Sequence, residues 1–228
     1  MTKKKIIENI VAPIGIVILS IVFAIIFHDF TLGFVTLLVG FLNAYYMALG
    51  KWYNYIFGIL FSIFYSIACA INGLFGFAIF SVILYTPIQI VGIVNWFRKQ
   101  ENGEVLVNSL SIKKGIITIA LAVSGSFLVG ILLSIIPRQT MPYFDAVSQI
   151  LNLLGIVFTI FRYRESWILF LFNNVIDLVI WIIKFVKHTE YSSMMLVVAI
   201  MYLVMNIYGI VYWIFIEGKQ KNKAKTVL

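Results

Sequence analysis

A chain of 228 residues in which 62% are apolar and 11% are charged carries about half the charged fraction of a soluble domain. That composition excludes a water-soluble globular fold and indicates a polytopic membrane protein. The net charge of +8 requires no nucleic acid, because basic loops lying against an anionic lipid leaflet account for it. A single cysteine, Cys69, rules out an intrachain disulfide and a thiolate metal cluster, and reads as a small core residue.

In chain order, Lys3, Lys4 and Lys5 precede a first apolar run over 10–27. The run is long for a signal peptide and no small-x-small cleavage site follows it, so it is expected to stay as a helix, closed by His28 and Asp29. Further apolar runs cover 32–49, 52–71, 74–97, 115–136, 143–161, 167–187 and 194–216. The expectation is therefore eight spans, each near the ~20 residues that cross a bilayer.

The basic residues test that count, since cytoplasmic loops collect Lys and Arg. With the N-terminus inside, the inner segments hold Lys3, Lys4, Lys5, Lys51, Arg98, Lys99, Lys113, Lys114, Arg162, Arg164, Lys219, Lys221, Lys223 and Lys225. Arg138, Lys184 and Lys187 fall outside. Both termini are accordingly expected in the cytoplasm.

An internal repeat follows from the motifs. Trp52 matches Trp167, Gly92 matches Gly209, Trp96 matches Trp213, and Gln89 falls opposite Asn206. Each copy has three helices, an odd number, so the single helix between them restores direction and leaves the copies parallel. The expected organisation is 1–30, N-terminus and extra first helix; 31–98, first three-helix repeat; 99–140, loop and linker helix; 141–216, second repeat; and 217–228, a basic tail. Two such halves create a central cleft, with Pro87 and Gly92 as places where one helix can bend.

The run 167–187 carries the strongest functional signal. Asp177 falls near its midplane, where a charge costs roughly 2.5–3.5 kcal/mol unless it faces a polar interior. Asn174, Asp177, Trp181 and Lys184 follow at steps of three and four, with Phe170 and Asn173 beside them, so they share one helix face. Gln89, two residues after Pro87, and Asn206 add amides at depth in two other helices. Taken singly, Gln89, Asn206, Asn43 and Asn152 also read as interhelical glue. The cluster supplies amide donors, amide acceptors and one anion, which suit a ligand with hydroxyls and a heteroaromatic ring. Stacking faces are available from Tyr65, Phe170, Trp181, Tyr202 and Tyr208. Trp52, Trp96, Trp167 and Trp213 sit at helix ends, where the ordinary expectation is interfacial anchoring.

These motifs, from Gln89 through Gly92 to Trp96, from Glu165-Ser166-Trp167 to Asn174, and from Asn206 through Gly209 to Trp213, resemble the Pnu vitamin transporter family over about residues 31–216. The resemblance implies a three-plus-one-plus-three core like that of the SWEET transporters, and facilitated diffusion of a nucleoside-like vitamin precursor across a bacterial inner membrane. It also implies metabolic trapping by a cytoplasmic kinase and a homotrimer. The substrate-binding residues it selects with the cluster above are Asn173, Asn174, Asp177, Phe170, Trp181, Gln89, Asn206 and Trp96. Two departures stand out: Ile93 and Phe170 occupy positions that are Trp in the PnuC-like members. Phe170 keeps a stacking face and lacks the indole N–H and the stronger π surface for a pyridinium. Nicotinamide riboside, a cation, leads by resemblance; a deoxynucleoside or another B-vitamin such as thiamine is the alternative, and a proton-coupled carrier using Asp177 is a second. No cofactor is implied. An enzyme is not indicated, since His28 and His188 sit at helix ends without paired carboxylates or a nucleophile motif.

Overall fold

The computed structural model describes residues 6–98, 100–101 and 104–226; Lys3, Lys4, Lys5 and Lys99, used above for orientation, lie outside them. The described chain forms eight helices: α1 (Ile7–Ile26), α2 (Leu32–Ala48), α3 (Asn54–Ile71), α4 (Phe75–Arg98), α5 (Ile112–Ser134), α6 (Pro142–Ile160), α7 (Ser166–Val186) and α8 (Ser192–Thr226). Seven are long and apolar enough to cross a membrane, and α2, with 17 residues, is at the short end of that range. The chain is a multi-pass membrane protein. Two short strands, β1 (Gln100–Glu101) and β2 (Glu104–Val105), pair antiparallel in the loop after α4.

Turn chemistry sets the helix ends. Five helices close with a residue in the left-handed region: His28, Gly50, Gly73, Arg162 and His188, with φ of 53°, 68°, 68°, 61° and 52°. Beyond each, a backbone N–H reaches back to the last turn, as in Lys51 N to Tyr46 O at 2.9 Å and Tyr163 N to Phe158 O at 2.9 Å, the Schellman arrangement. Only two of these positions are glycine, so the other stops carry no obvious sequence signal.

Six helices form a closed ring. α3 packs between α2 and α4, α7 packs between α6 and α8, α4 meets α6, and α8 closes on α2. α1 rests outside against α2, and α5 rests outside against α6. Small side chains allow the close approach: α1 buries Ser20 and Ala24, and α2 buries Gly33, Gly40, Ala44 and Ala48. The junctions on either side of the ring carry matching bonds. Trp96 Nε1 on α4 donates to Thr159 O near the end of α6 at 2.9 Å, and Trp213 Nε1 on α8 donates to Ala48 O at the end of α2 at 3.1 Å.

Three expectations change. Trp167 corresponds by packing to Tyr55 rather than to Trp52: the Trp167 ring lies where a side chain on Gly209 would be, and the Tyr55 ring lies where one on Gly92 would be. Gly92 is thus a close-packing position, not a bend. The irregularity of α4 is a π turn at Ser81–Tyr85, directly before Thr86 and Pro87. Pro87 lacks the N–H that would bond one turn back, and just before it the N–H and the hydroxyl (2.9 Å) of Thr86 both donate to Ser81 O. Finally, α8 runs through the basic tail to Thr226, since the change from apolar to charged residues marks where the chain leaves the bilayer, and lysine, glutamine and alanine sustain a helix.

Candidate functional site

One cavity lies at the centre of the ring and is lined from all six ring helices, with about 910 Å³ of empty space once its opening to solvent is counted. α7 forms its most polar wall, because Phe170, Asn173, Asn174 and Asp177 recur at helical spacing and all face inward. Asp177 accepts from Ser148 Oγ of α6 at 2.6 Å and from Asn173 Nδ2 at 3.1 Å. Asn174 Nδ2 donates to Tyr202 O of α8 at 3.2 Å, Tyr202 Oη donates to Asn43 Oδ1 of α2 at 3.1 Å, and Asn43 Nδ2 donates to Asn54 O at 2.9 Å. On the facing side, Gln89 Nε2 donates to Ser62 Oγ at 3.1 Å. A Cβ at position 58 would stand 2.1 Å from Gln89 Oε1, so Gly58 is what lets Gln89 lie against α3.

Four buried polar atoms on this lining have no hydrogen-bond partner: Asn173 Oδ1, Asn206 Oδ1, Tyr55 Oη and Trp167 Nε1. Leaving each unpaired costs about 1–3 kcal/mol, and four converging on one space are what a polar ligand would satisfy. Aromatic rings close the cavity above and below. Towards the face opposite the chain ends, Tyr65 stacks on Phe61 (4.8 Å, 17°) and meets Phe77 edge-on (4.5 Å, 89°). Towards the face of the chain ends, Tyr55, Trp96, Trp213 and Trp167 form a row with ring separations of 5.2, 6.2 and 5.7 Å.

Of the residues expected at the site, Asn173, Asn174, Asp177, Phe170, Gln89 and Asn206 line the cavity. Trp181 and Trp96 do not. Trp181 shares the Asp177 face but lies one turn further along, where the ring of helices has closed; it is fully buried and donates to Tyr65 Oη at 2.6 Å. Trp96 is likewise fully buried and supports Tyr55 from behind. The interfacial reading of the tryptophans is corrected with it: Trp96, Trp167 and Trp213 are core residues. Lys184 turns away from Asp177 and donates to Asn72 O at 2.5 Å and Thr140 Oγ1 at 2.8 Å, joining the α3–α4 turn to the α5–α6 turn. Tyr208 is exposed and stacks on Tyr212 outside the cavity.

Sequence reasoning did not select Tyr55, Phe61, Ser62 or Trp167, all of which line the cavity. A signal was present on α3, where Asn54, Gly58, Ser62 and Tyr65 make a polar and small stripe at steps of three and four on an otherwise apolar helix.

The profile of the family described as "Nicotinamide mononucleotide transporter" matches residues 30–215. The chain is 27% identical to "Nicotinamide riboside transporter PnuC" of Neisseria mucosa over 81% of this chain and 72% of that protein. It is 23% identical to the protein of the same name from Haemophilus influenzae over 81% and 80%. A crystal structure described as that of the vitamin B3 transporter PnuC superposes with a TM-score of 0.79 over 92% of this chain and 91% of that chain, at 24% identity, and has the same fold.

Proposed function

We propose that this chain, which belongs to the nicotinamide mononucleotide transporter family, carries a dephosphorylated nucleoside-like vitamin precursor, nicotinamide riboside, by facilitated diffusion. The observation that carries this reading is the charge of the cavity: it holds one carboxylate, Asp177, and no Lys or Arg among the described residues that line it. A phosphate about 7 Å from that carboxylate, at an effective dielectric of about 20, would be repelled by roughly 2 kcal/mol per charge pair before its lost hydration is counted. A pyridinium gains by the same arithmetic. The mononucleotide carries the same pyridinium, so the riboside is favoured over it by the phosphate repulsion alone.

Asn173, Asn174, Gln89 and Asn206 then meet the ribose hydroxyls and the carboxamide, and Phe170 offers the ring a stacking face. Trp181 and Trp96 hold Tyr65 and Tyr55 in place rather than touching ligand. The chain ends and the basic segments near them face the cytoplasm of a bacterial cell. A kinase there would phosphorylate the entering molecule and so keep its gradient downhill, and the resemblance implies a trimer. A neutral deoxynucleoside is the second reading, favoured by Phe170, which lacks the stronger π surface that a Trp would give a cation.

Liposomes containing the purified protein test transport directly. At equal pH and zero potential, labelled nicotinamide riboside should enter until inside and outside concentrations match, and a sodium gradient should not alter that end point. Accumulation beyond equality under a sodium gradient would overturn facilitated diffusion.

A further inference from the structure

The cavity is displaced along the ring. Its lining begins in the first turn of α3 and of α7, at Asn54 and Trp167, and ends at Tyr65 and Asp177, while the helices continue to Ile71 and Val186. It reaches the turns nearest the chain ends and stops short of the opposite face. There the gap between α3 and α7 is bridged by side chains in two layers: Trp181 Nε1 donates to Tyr65 Oη at 2.6 Å, and one turn further out Lys184 Nζ donates to Asn72 O at 2.5 Å and Thr140 Oγ1 at 2.8 Å. Around Lys184 the α3–α4 and α5–α6 turns dock on each other. Thr140 N donates to Gly73 O at 2.7 Å, Phe75 N to Gln139 Oε1 at 2.9 Å and Gly76 N to Asp145 Oδ2 at 2.8 Å. A Cβ on Gly73, whose φ is 68°, would stand 2.5 Å from Arg138 O, so glycine is what lets the turns meet.

These bonds cross the ring, because α3 and α7 each pack against other neighbours within it. Nothing comparable joins the two helices at the chain-end face, where Tyr55 Oη and Trp167 Nε1 both lack a partner. Lys184 is buried, and its head group meets a backbone carbonyl and a hydroxyl. Asp145 is joined to it only through Thr140 and Gln139, whose Nε2 donates to Thr140 O and Asp145 Oδ2, both at 2.9 Å. Such a contact can be undone without moving a proton, since the flexible four-carbon stem lets the ammonium swing out to water as the turns part.

We propose that Lys184 is the latch of the mouth opposite the chain ends: ligand passes that mouth only while the bonds from Lys184 to Asn72 and Thr140 are broken. The Trp181–Tyr65 pair is the plug beneath it. Lys184 is thus a positioning residue that sets which face the cavity opens to and does not touch ligand. This rests on the reading of the chain as a carrier and adds the side chain that governs access from one face.

The chain carries its own reporter. Cys69, the single cysteine, lies on α3 between Tyr65 and Asn72, is 2% exposed and is within electrostatic reach of Lys184. It stands between plug and latch, so a water-soluble maleimide should reach it when the latch opens. The test is the rate of Cys69 labelling in the full-length protein in lipid nanodiscs, with Cys69→Ser as the blank. Lys184→Met keeps the stem and removes the donors; it should speed labelling roughly tenfold, the population shift expected from losing a charged hydrogen bond. Thr140→Val leaves Lys184 in place and removes one acceptor, and should give a smaller rise. Trp213→Phe removes the bond to Ala48 O at the other face and should slow labelling, because weakening that set favours the state in which the latch is closed. Faster labelling in Trp213→Phe as well would mean general loosening and would overturn the latch, as would an unchanged rate in both Lys184→Met and Thr140→Val. No ligand is added, so the result is independent of what is carried: failure of nicotinamide riboside to enter liposomes would overturn the function reading and leave the latch standing.

Discussion

Asn174 shows how a membrane amide can serve both packing and recognition. Its Nδ2 donates to the backbone of α8 at Tyr202, and the residue still lines the cavity. Asn174→Ala should weaken binding of nicotinamide riboside by about tenfold, the value of one net hydrogen bond of roughly 1–1.5 kcal/mol, while the protein stays folded; an unchanged dissociation constant by tryptophan fluorescence would remove it from the site. Gly155 tests the stacking face from behind. A Cβ there would stand 2.5 Å from Phe170 Cε1, so Gly155→Ala must displace the ring, and affinity should drop with little change in the secondary-structure signal. The α7 wall was legible from sequence because an acid and two amides at helical spacing are conspicuous in an apolar run. Trp167 and Tyr55 were not, because an aromatic residue at a helix end looks the same whether it faces lipid or a cavity, and only the glycines opposite them, Gly209 and Gly92, decide which.

At the scale of elements, number and order were legible and ends were not. Apolar length counts spans, but α8 outruns its apolar segment and α4 hides a π turn before Pro87, since neither feature alters hydropathy. The Schellman stops at His28, Arg162 and His188 place non-glycine residues at positive φ, a conformation that costs an L-residue about 1 kcal/mol. His188→Gly should therefore raise thermal stability by up to that amount, less the flexibility glycine adds to the unfolded chain; clear destabilisation in a detergent melting experiment would show that the imidazole makes compensating contacts. Near the chain ends, the segment after α4 is stitched to the second half of the ring. Asn108 N donates to Arg162 O at 2.8 Å, Arg164 N donates to Asn108 O at 3.0 Å, and Arg164 Nη1 meets Glu217 Oε2 of α8 at 2.8 Å. Hydrogen bonds from Glu165 and Glu217 push the Arg164 pKa further up, so the guanidinium stays charged throughout the accessible range. Arg164 is open to solvent but Glu217 is buried, so the pair is worth more than a fully exposed one, and Glu217→Gln should lower the melting temperature measurably.

The molecule as a whole is a ring of six helices around one charged cavity, closed by aromatic rings towards each face. Bonds between the two sides of the ring occur at both faces: Trp96 to Thr159 and Trp213 to Ala48 near the chain ends, Lys184 and Thr140 to the α3–α4 turn opposite. Alternating access by two rigid halves would open one set while the other holds. The most direct test of the central claim, that this cavity takes a nucleoside and rejects its phosphate, is a pair of titrations of the purified protein with nicotinamide riboside and with nicotinamide mononucleotide. Saturable binding of the riboside and at least a thirtyfold weaker response to the mononucleotide are expected, from about 2 kcal/mol of repulsion at Asp177. Equal or tighter binding of the mononucleotide would contradict a site selected by its single negative charge.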